Sequence, residues 1–283
     1  MNANDTTNSP SWIQRCENLD RRWIFLIVAL ALIFPLIFGI NFGVLESVPV
    51  RDFYNEIDKL PAGSKVLISA DWDPGSMAEL YPATISVLNH CFDKKLKVVM
   101  YTLWPTGPGI LTRCITETAE ARGLVDGEDY VFLGFKEGRQ AVMVAIGESL
   151  PATFPQDINN RPVGEIPIMQ GVENYNSFPI FINVSAGFPG TKEYVQQVQS
   201  RFGLNMLSTC AGISAPEYYP YYEAGQLSGL CGGLKATAEY EQMIGHKGKA
   251  TAAMGAQTFG HYIIVLLILF SNVMYFWSRR KRS

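Results

Sequence analysis

Asp71 and Asp73 stand one residue apart where an apolar run turns into a polar loop, and are the carboxylates best placed to do chemistry. Two carboxylates at a strand end are what phosphoryl transfer through an aspartyl nucleophile and Mg²⁺ requires, and Ser185, after a second apolar run, would supply a hydroxyl. That chemistry also needs a lysine and a further acidic pair at a strand end, and no residues stand convincingly in those places. Aspartate at a strand-to-helix turn more often caps the helix or closes an Asx-turn. No residue is therefore assigned a catalytic role.

Ser185-Ala186-Gly187 and Gly187-Phe188-Pro189-Gly190 could turn backbone N–H groups toward an anion at a helix N-terminus. Neither matches G-x-G-x-x-G or G-x-x-x-x-G-K-[ST], so a tight turn is the favoured use and nucleotide binding is unsupported. His90, His246 and His261 fall on a helix, in a polar linker and at an apolar edge, which assembles neither a zinc site nor a triad. Cys91, Cys114, Cys210 and Cys231 lack C-x-x-C spacing and read as buried free thiols, with a disulfide as the alternative in an oxidising space. No metal and no cofactor is expected.

These residues are positioned by short apolar runs alternating with helical stretches. Residues 65–70, 97–103, 130–134, 178–184 and 205–213 read as strands, and 52–60, 77–92, 110–122, 136–150, 192–202 and 225–244 as helices. Residues 151–177 are rich in Pro and Asn without a period, the length of a functional loop or lid, and 216–222 read as an aromatic loop. Continuous apolar strands separated by helices predict an α/β fold with a Rossmann-like or flavodoxin-like open, mainly parallel sheet. The loops at 71–76, 104–109, 185–190 and 214–222 then line one edge, the default place for a small ligand. Candidate contacts there are Asp71, Trp72, Asp73, Trp104, Ser185, Gly187, Tyr218 and Tyr219.

The α/β segment lies between two apolar stretches. Residues 23–45 carry no charge and 259–277 carry no Asp, Glu, Lys or Arg, so each is expected to cross a membrane as a helix, with Trp23, Tyr262, Tyr275 and Trp277 at the interfaces. The predicted layout is a tail at 1–22, a span at 23–45, a domain at 46–258, a span at 259–277 and a basic tail at 278–283. Arg15, Arg21 and Arg22 before the first span, and four basic residues after the second, place both termini in the cytoplasm and the domain outside. Only 17% of residues are charged, against about a quarter in soluble domains. The tail holds four positive charges and the first 22 residues balance, so the rest of a chain of net charge −3 is acidic, which argues against nucleic acid.

Several residues point to helix packing instead. Gly39 and Gly43 form a small-xxx-small pair, and Asn272 places an amide at membrane depth. Gly225, Gly229, Gly232 and Gly233 lie in a predicted helix, where each costs about 1 kcal/mol relative to alanine and implies close packing, a candidate oligomer seam.

The stretches ADWDPGS (70–76), TLWPTGPG (102–109), SAGFPG (185–190) and SAPEYYPYYEAGQLSGLCGGLKATAEYE (214–241) resemble a family of prokaryotic membrane-anchored proteins without an assigned function. The resemblance runs over nearly the whole chain and implies the same order of span, α/β domain and span, and no activity. Three functions are then weighed: a non-enzymatic subunit of a membrane complex, homo-oligomeric or with other membrane subunits; a small-ligand or sensory domain at the strand edge; and an Asp71/Asp73 metal hydrolase.

Overall fold

The computed structural model describes residues 20–39 and 45–282. The chain divides into two units, Gly43–Thr251 on one side and Met1–Phe42 with Ala252–Ser283 on the other.

In the first unit, six strands form one sheet: β1 (Lys65–Asp71), β2 (Lys97–Thr102), β3 (Tyr130–Phe135), β4 (Phe181–Ser185), β5 (Met206–Cys210) and β6 (Gly229–Gly232). Every pairing is parallel and the order is β3-β2-β1-β4-β5-β6, so the chain reverses direction across the sheet between β1 and β4. Parallel neighbours need crossover connections, and helices supply them. Both faces of the sheet are thereby buried, which is why β1, β2 and β4 read as apolar runs rather than alternating ones.

Two cores result. On one face, Val66, Ile68, Ala70, Val98, Ile182 and Val184 pack under α2 (Val48–Asp58), α3 (Met77–Asp93), α4 (Pro108–Glu120) and the later helix Gly233–Met243. On the other, Leu67, Val99, Val131, Phe181 and Met206 meet α5 (Gln140–Glu148), α6 (Leu150–Thr153) and α7 (Thr191–Tyr194). A π-turn at Val195–Gln199 carries α7 into α8 (Ser200–Phe202). Side chains i and i+2 of a strand share a face, so the odd positions of β1 belong to the second core.

Three expectations are corrected. Residues 151–177 are no lid: turns at Val163–Glu165, Pro167–Met169 and Tyr175–Ser177 bury Val163, Ile166, Ile168, Met169, Val172 and Tyr175 in the second core. The aromatic run is helix α9 (Ala215–Glu223), with Pro216 in its first turn where the missing N–H costs nothing. The glycine run is not helical from 225. Residues Gly229–Gly232 are β6, and α10 (Gly233–Met243) starts only after it. A Cβ at Gly229 would lie 2.5 Å from the Phe53 backbone nitrogen of α2, so only glycine lets β6 meet that helix.

The second unit contains α1 (Arg21–Phe38) and the part of α11 (Lys249–Arg282) beyond residue 251, two helices long and apolar enough to cross a membrane. The α1 backbone is about 27 Å long at 1.5 Å per residue. Within this unit Gly260 lies against Leu32, and the Phe34 and Phe259 rings sit 6.4 Å apart. Gly39 ends α1 in the left-handed conformation, its N–H bonded to the Pro35 carbonyl. Gly43, the other member of the expected small-xxx-small pair, lies outside the described residues.

Candidate functional site

The ends of β1 and β4, where the sheet changes direction, are built from polar residues spaced two apart in apolar strands. Ser69 and Asp71 of β1, Asn183 and Ser185 of β4, and Ser208 of β5 point to the same face. In register, Tyr101, Ser69, Asn183 and Ser208 form a row across four strands, followed toward the strand ends by Asp71, Ser185 and Cys210. All seven are buried.

Asp71 is the centre. Its Oδ1 accepts the Leu103 N–H at 2.6 Å, and its Oδ2 accepts the Ser69 hydroxyl at 2.5 Å and the Asn183 amide at 3.3 Å. Tyr194 of α7 reaches Ser69 Oγ at 2.5 Å. Asn183 Oδ1 accepts from Ser185 at 2.7 Å and from Thr191 at 2.9 Å, and Thr191 in turn pairs with Ser208 at 2.6 Å. The carboxyl therefore ties β1 to β2 and β4, while Thr191 and Tyr194 fasten α7 onto them. Burial pushes Asp71 up to about 6, against the opposing pull of the Ser69 and Leu103 hydrogen bonds. A carboxyl titrating there suits general acid or base work where a substrate can reach it. Asp71 is 0% exposed and both its oxygens are occupied.

The loops close over this knot. Trp104 Nε1 donates to the Pro189 carbonyl at 3.0 Å, joining the β2 and β4 loops, and a Cβ on Gly187 would touch the indole at 3.6 Å. The Ala186 N–H bonds the Asp71 carbonyl. Trp72 is wholly buried in the opposite core. Asp73 accepts from the Ser76 N–H at 3.1 Å and caps the turn Pro74–Ser76, which is the capping role weighed above. Tyr218 is buried in α9 against the second core, whereas Tyr219 is exposed.

The structure thus brings Asp71, Ser185, Trp104 and Gly187 together. It leaves Trp72, Tyr218 and Tyr219 elsewhere. Ser69, Asn183, Thr191, Tyr194 and Ser208 were missed by sequence reasoning. Their signal was a polar residue at every second position near the ends of apolar strands, as in 69–71 and 183–185.

The glycines expected to form a seam make their close approaches inside the domain. A Cβ on Gly232 would meet Ala215 at 2.5 Å, and one on Gly233, whose φ is +73°, would meet Gly212 Cα at 2.7 Å. Gly225 sits in a turn at φ +73°. Cys91, Cys114, Cys210 and Cys231 are free and buried, and burial raises the Cys91, Cys114 and Cys231 thiols to about 12, far from reactive thiolates. Among the described residues no group of His, Cys, Asp and Glu could hold a metal ion.

A groove of about 370 Å³ lies elsewhere in the same unit, between α3, α4 and the turn before α11. The Lys249 ammonium stands 4.4 Å from the Tyr81 ring centre, and the Tyr81 hydroxyl donates to Glu117. Glu241 closes its floor by accepting the N–H groups of Gly248, Ala250 and Thr251. Set against protein-family models, curated proteins and solved structures, the chain finds no match in any of the three comparisons.

Proposed function

We propose that this chain is a non-enzymatic, membrane-anchored subunit of an oligomeric membrane complex, its Rossmann-like domain serving as a rigid assembly module rather than a catalyst. The observation that carries this reading is the closed strand edge. In sheets of this strand order the crevice at the reversal point is the usual ligand site. Here the Asp71 knot fills it and Trp104 bridges to Pro189 above it. Two helices apolar and long enough to span supply the anchor. The basic residues outside both spans support cytoplasmic termini and an external domain.

The test is the native mass of the full-length chain extracted gently from its own membrane. A mass of at least two chains of 31.4 kDa is expected, and a mass of one chain plus detergent overturns the reading.

A second reading, small-solute binding, draws on the groove beside Tyr81 and Lys249 rather than on the strand edge. A ligand that binds only the folded state raises its stability. A broad thermal-shift screen of the full chain that finds no stabilising solute ends it.

A further inference from the structure

Ser271 and Asn272 sit well inside the apolar part of α11, and both are exposed. Asn272 is five residues before Trp277, about 7.5 Å along the axis. Its amide has two donor hydrogens and a carbonyl acceptor, and no hydrogen-bond partner among the described residues takes either. A polar group left unmet in hydrocarbon costs several kcal/mol, so in a membrane this side chain selects a neighbour.

The amide does not stand on a bare surface. Ile264, Leu267, Ile268, Ser271 and Asn272 recur at helical spacing on one face of α11, and Ile24 and Val28 of α1 form the opposite wall. Together they line a groove of about 360 Å³ with Asn272 in it. Aliphatic walls around a hydrogen-bonding amide suit another helix better than an ionic group.

We infer that a second copy of this chain docks in this groove, with the two Asn272 side chains pairing across a two-fold axis. This rests on the reading of the two helices as membrane spans of an assembled subunit. The amide itself selects the occupant. It carries donor and acceptor on one side chain, so two copies placed symmetrically satisfy both amides at once, Nδ2 to Oδ1 in each direction. Such a contact is isologous and closes on itself as a dimer. A different partner would have to bring its own matching group and would leave symmetry unused.

The test uses the full-length chain in lipid nanodiscs, with Cys16 replaced by Ser. In the Asn272→Cys variant, mild oxidation is expected to give a covalent dimer. In Val273→Cys, at the same depth but outside the groove, the dimer is expected about tenfold weaker or absent. Asn272→Leu is expected to weaken dimerisation about tenfold, the equivalent of about 1.4 kcal/mol, while Asn272→Gln retains most of it. An assembly that keeps its mass in Asn272→Leu, with no cross-link in Asn272→Cys, overturns the groove assignment and leaves the assembly reading standing. Loss of a different chain from the Asn272→Leu complex, again with no cross-link in Asn272→Cys, overturns the second-copy occupant. A wild-type mass of a single chain overturns both.

Discussion

Asp71 and His90 are buried ionisable groups that respond to acid in opposite senses. Burial raises Asp71 from 3.8 to about 6, so the folded chain holds its proton more tightly than the unfolded chain does. Its contribution is fully present below pH 3.8 and is lost as pH rises through 6, a change on the order of 3 kcal/mol. His90 behaves oppositely. Its ring stacks on Tyr54 and its Nδ1 meets the Tyr240 hydroxyl at 2.7 Å, while its Nε2 lies 3.7 Å from Asp58, beyond hydrogen-bond reach. Burial lowers it from 6.5 to about 4, against the pull of Asp58, so stability is present above pH 6.5 and lost as pH falls through 4. Between pH 4 and 6.5 the two effects oppose each other and flatten the wild-type profile. Denaturant unfolding of the full chain, followed by tryptophan fluorescence, separates them. Asp71→Asn removes the titrating group and sets one NH2 against the Leu103 N–H or the Asn183 amide, so overall stability drops, and what remains should fall more steeply toward acid than in wild type. In His90→Phe the remaining Asp71 effect should make the domain gain stability between pH 6.5 and 4. Parallel profiles for wild type and both variants would refute the two assignments.

At the scale of elements, close backbone approach and end-capping decide what sequence patterns left open. The apolar runs made β1 to β5 legible to within a few residues, since a strand buried on both faces leaves no other pattern. β6 was hidden because its reason for being glycine-rich is α2, which arrives from residues 48–58, far away in sequence. A run of aromatics gave no period for α9, and the buried residues of 151–177 are spaced by turns rather than by a repeat. Asp71 and Ser185 stood out as residues, but the bond of Ser185 to Thr191 and the link from Asp71 through Ser69 to Tyr194 depend on where α7 lands. Two substitutions measure these contacts. Gly229→Ala drives a methyl group into the α2 backbone and should destabilise the domain by about 1–3 kcal/mol or more. Its pair, Gly225→Ala, has open space around it and suffers only the strain of its positive φ. Glu241→Ala strands the N–H groups of Gly248, Ala250 and Thr251 at the start of α11, at a cost of about 1–3 kcal/mol. Hydrogen exchange should then rise at residues 248–251 first, and unchanged protection there would show that the carboxylate is not their cap.

Across the whole molecule, exposed large apolar side chains concentrate in the two long helices, from Trp23 to Phe38 and from Tyr262 to Trp277. The α/β unit exposes only scattered ones, among them Leu45, Val48, Phe188 and Ile213, while its two cores are complete on either side of the sheet. Single exposed apolar residues are normal on a soluble surface; long apolar helix faces are not. The units should therefore part by solubility. A fragment of residues 43–251 is expected to be soluble without detergent and monomeric, and to unfold in one cooperative transition, whereas the full chain needs lipid or detergent and assembles. The reasoning is that the Asp71 carboxyl and the close glycine contacts are met inside the domain, whereas Asn272 in the other unit exposes an amide on an apolar helix face. Sedimentation of the fragment decides it. A monomer locates the assembly contact in the helices, while a stable oligomer of the fragment would move that contact to the domain surface and remove the need for the amide pair.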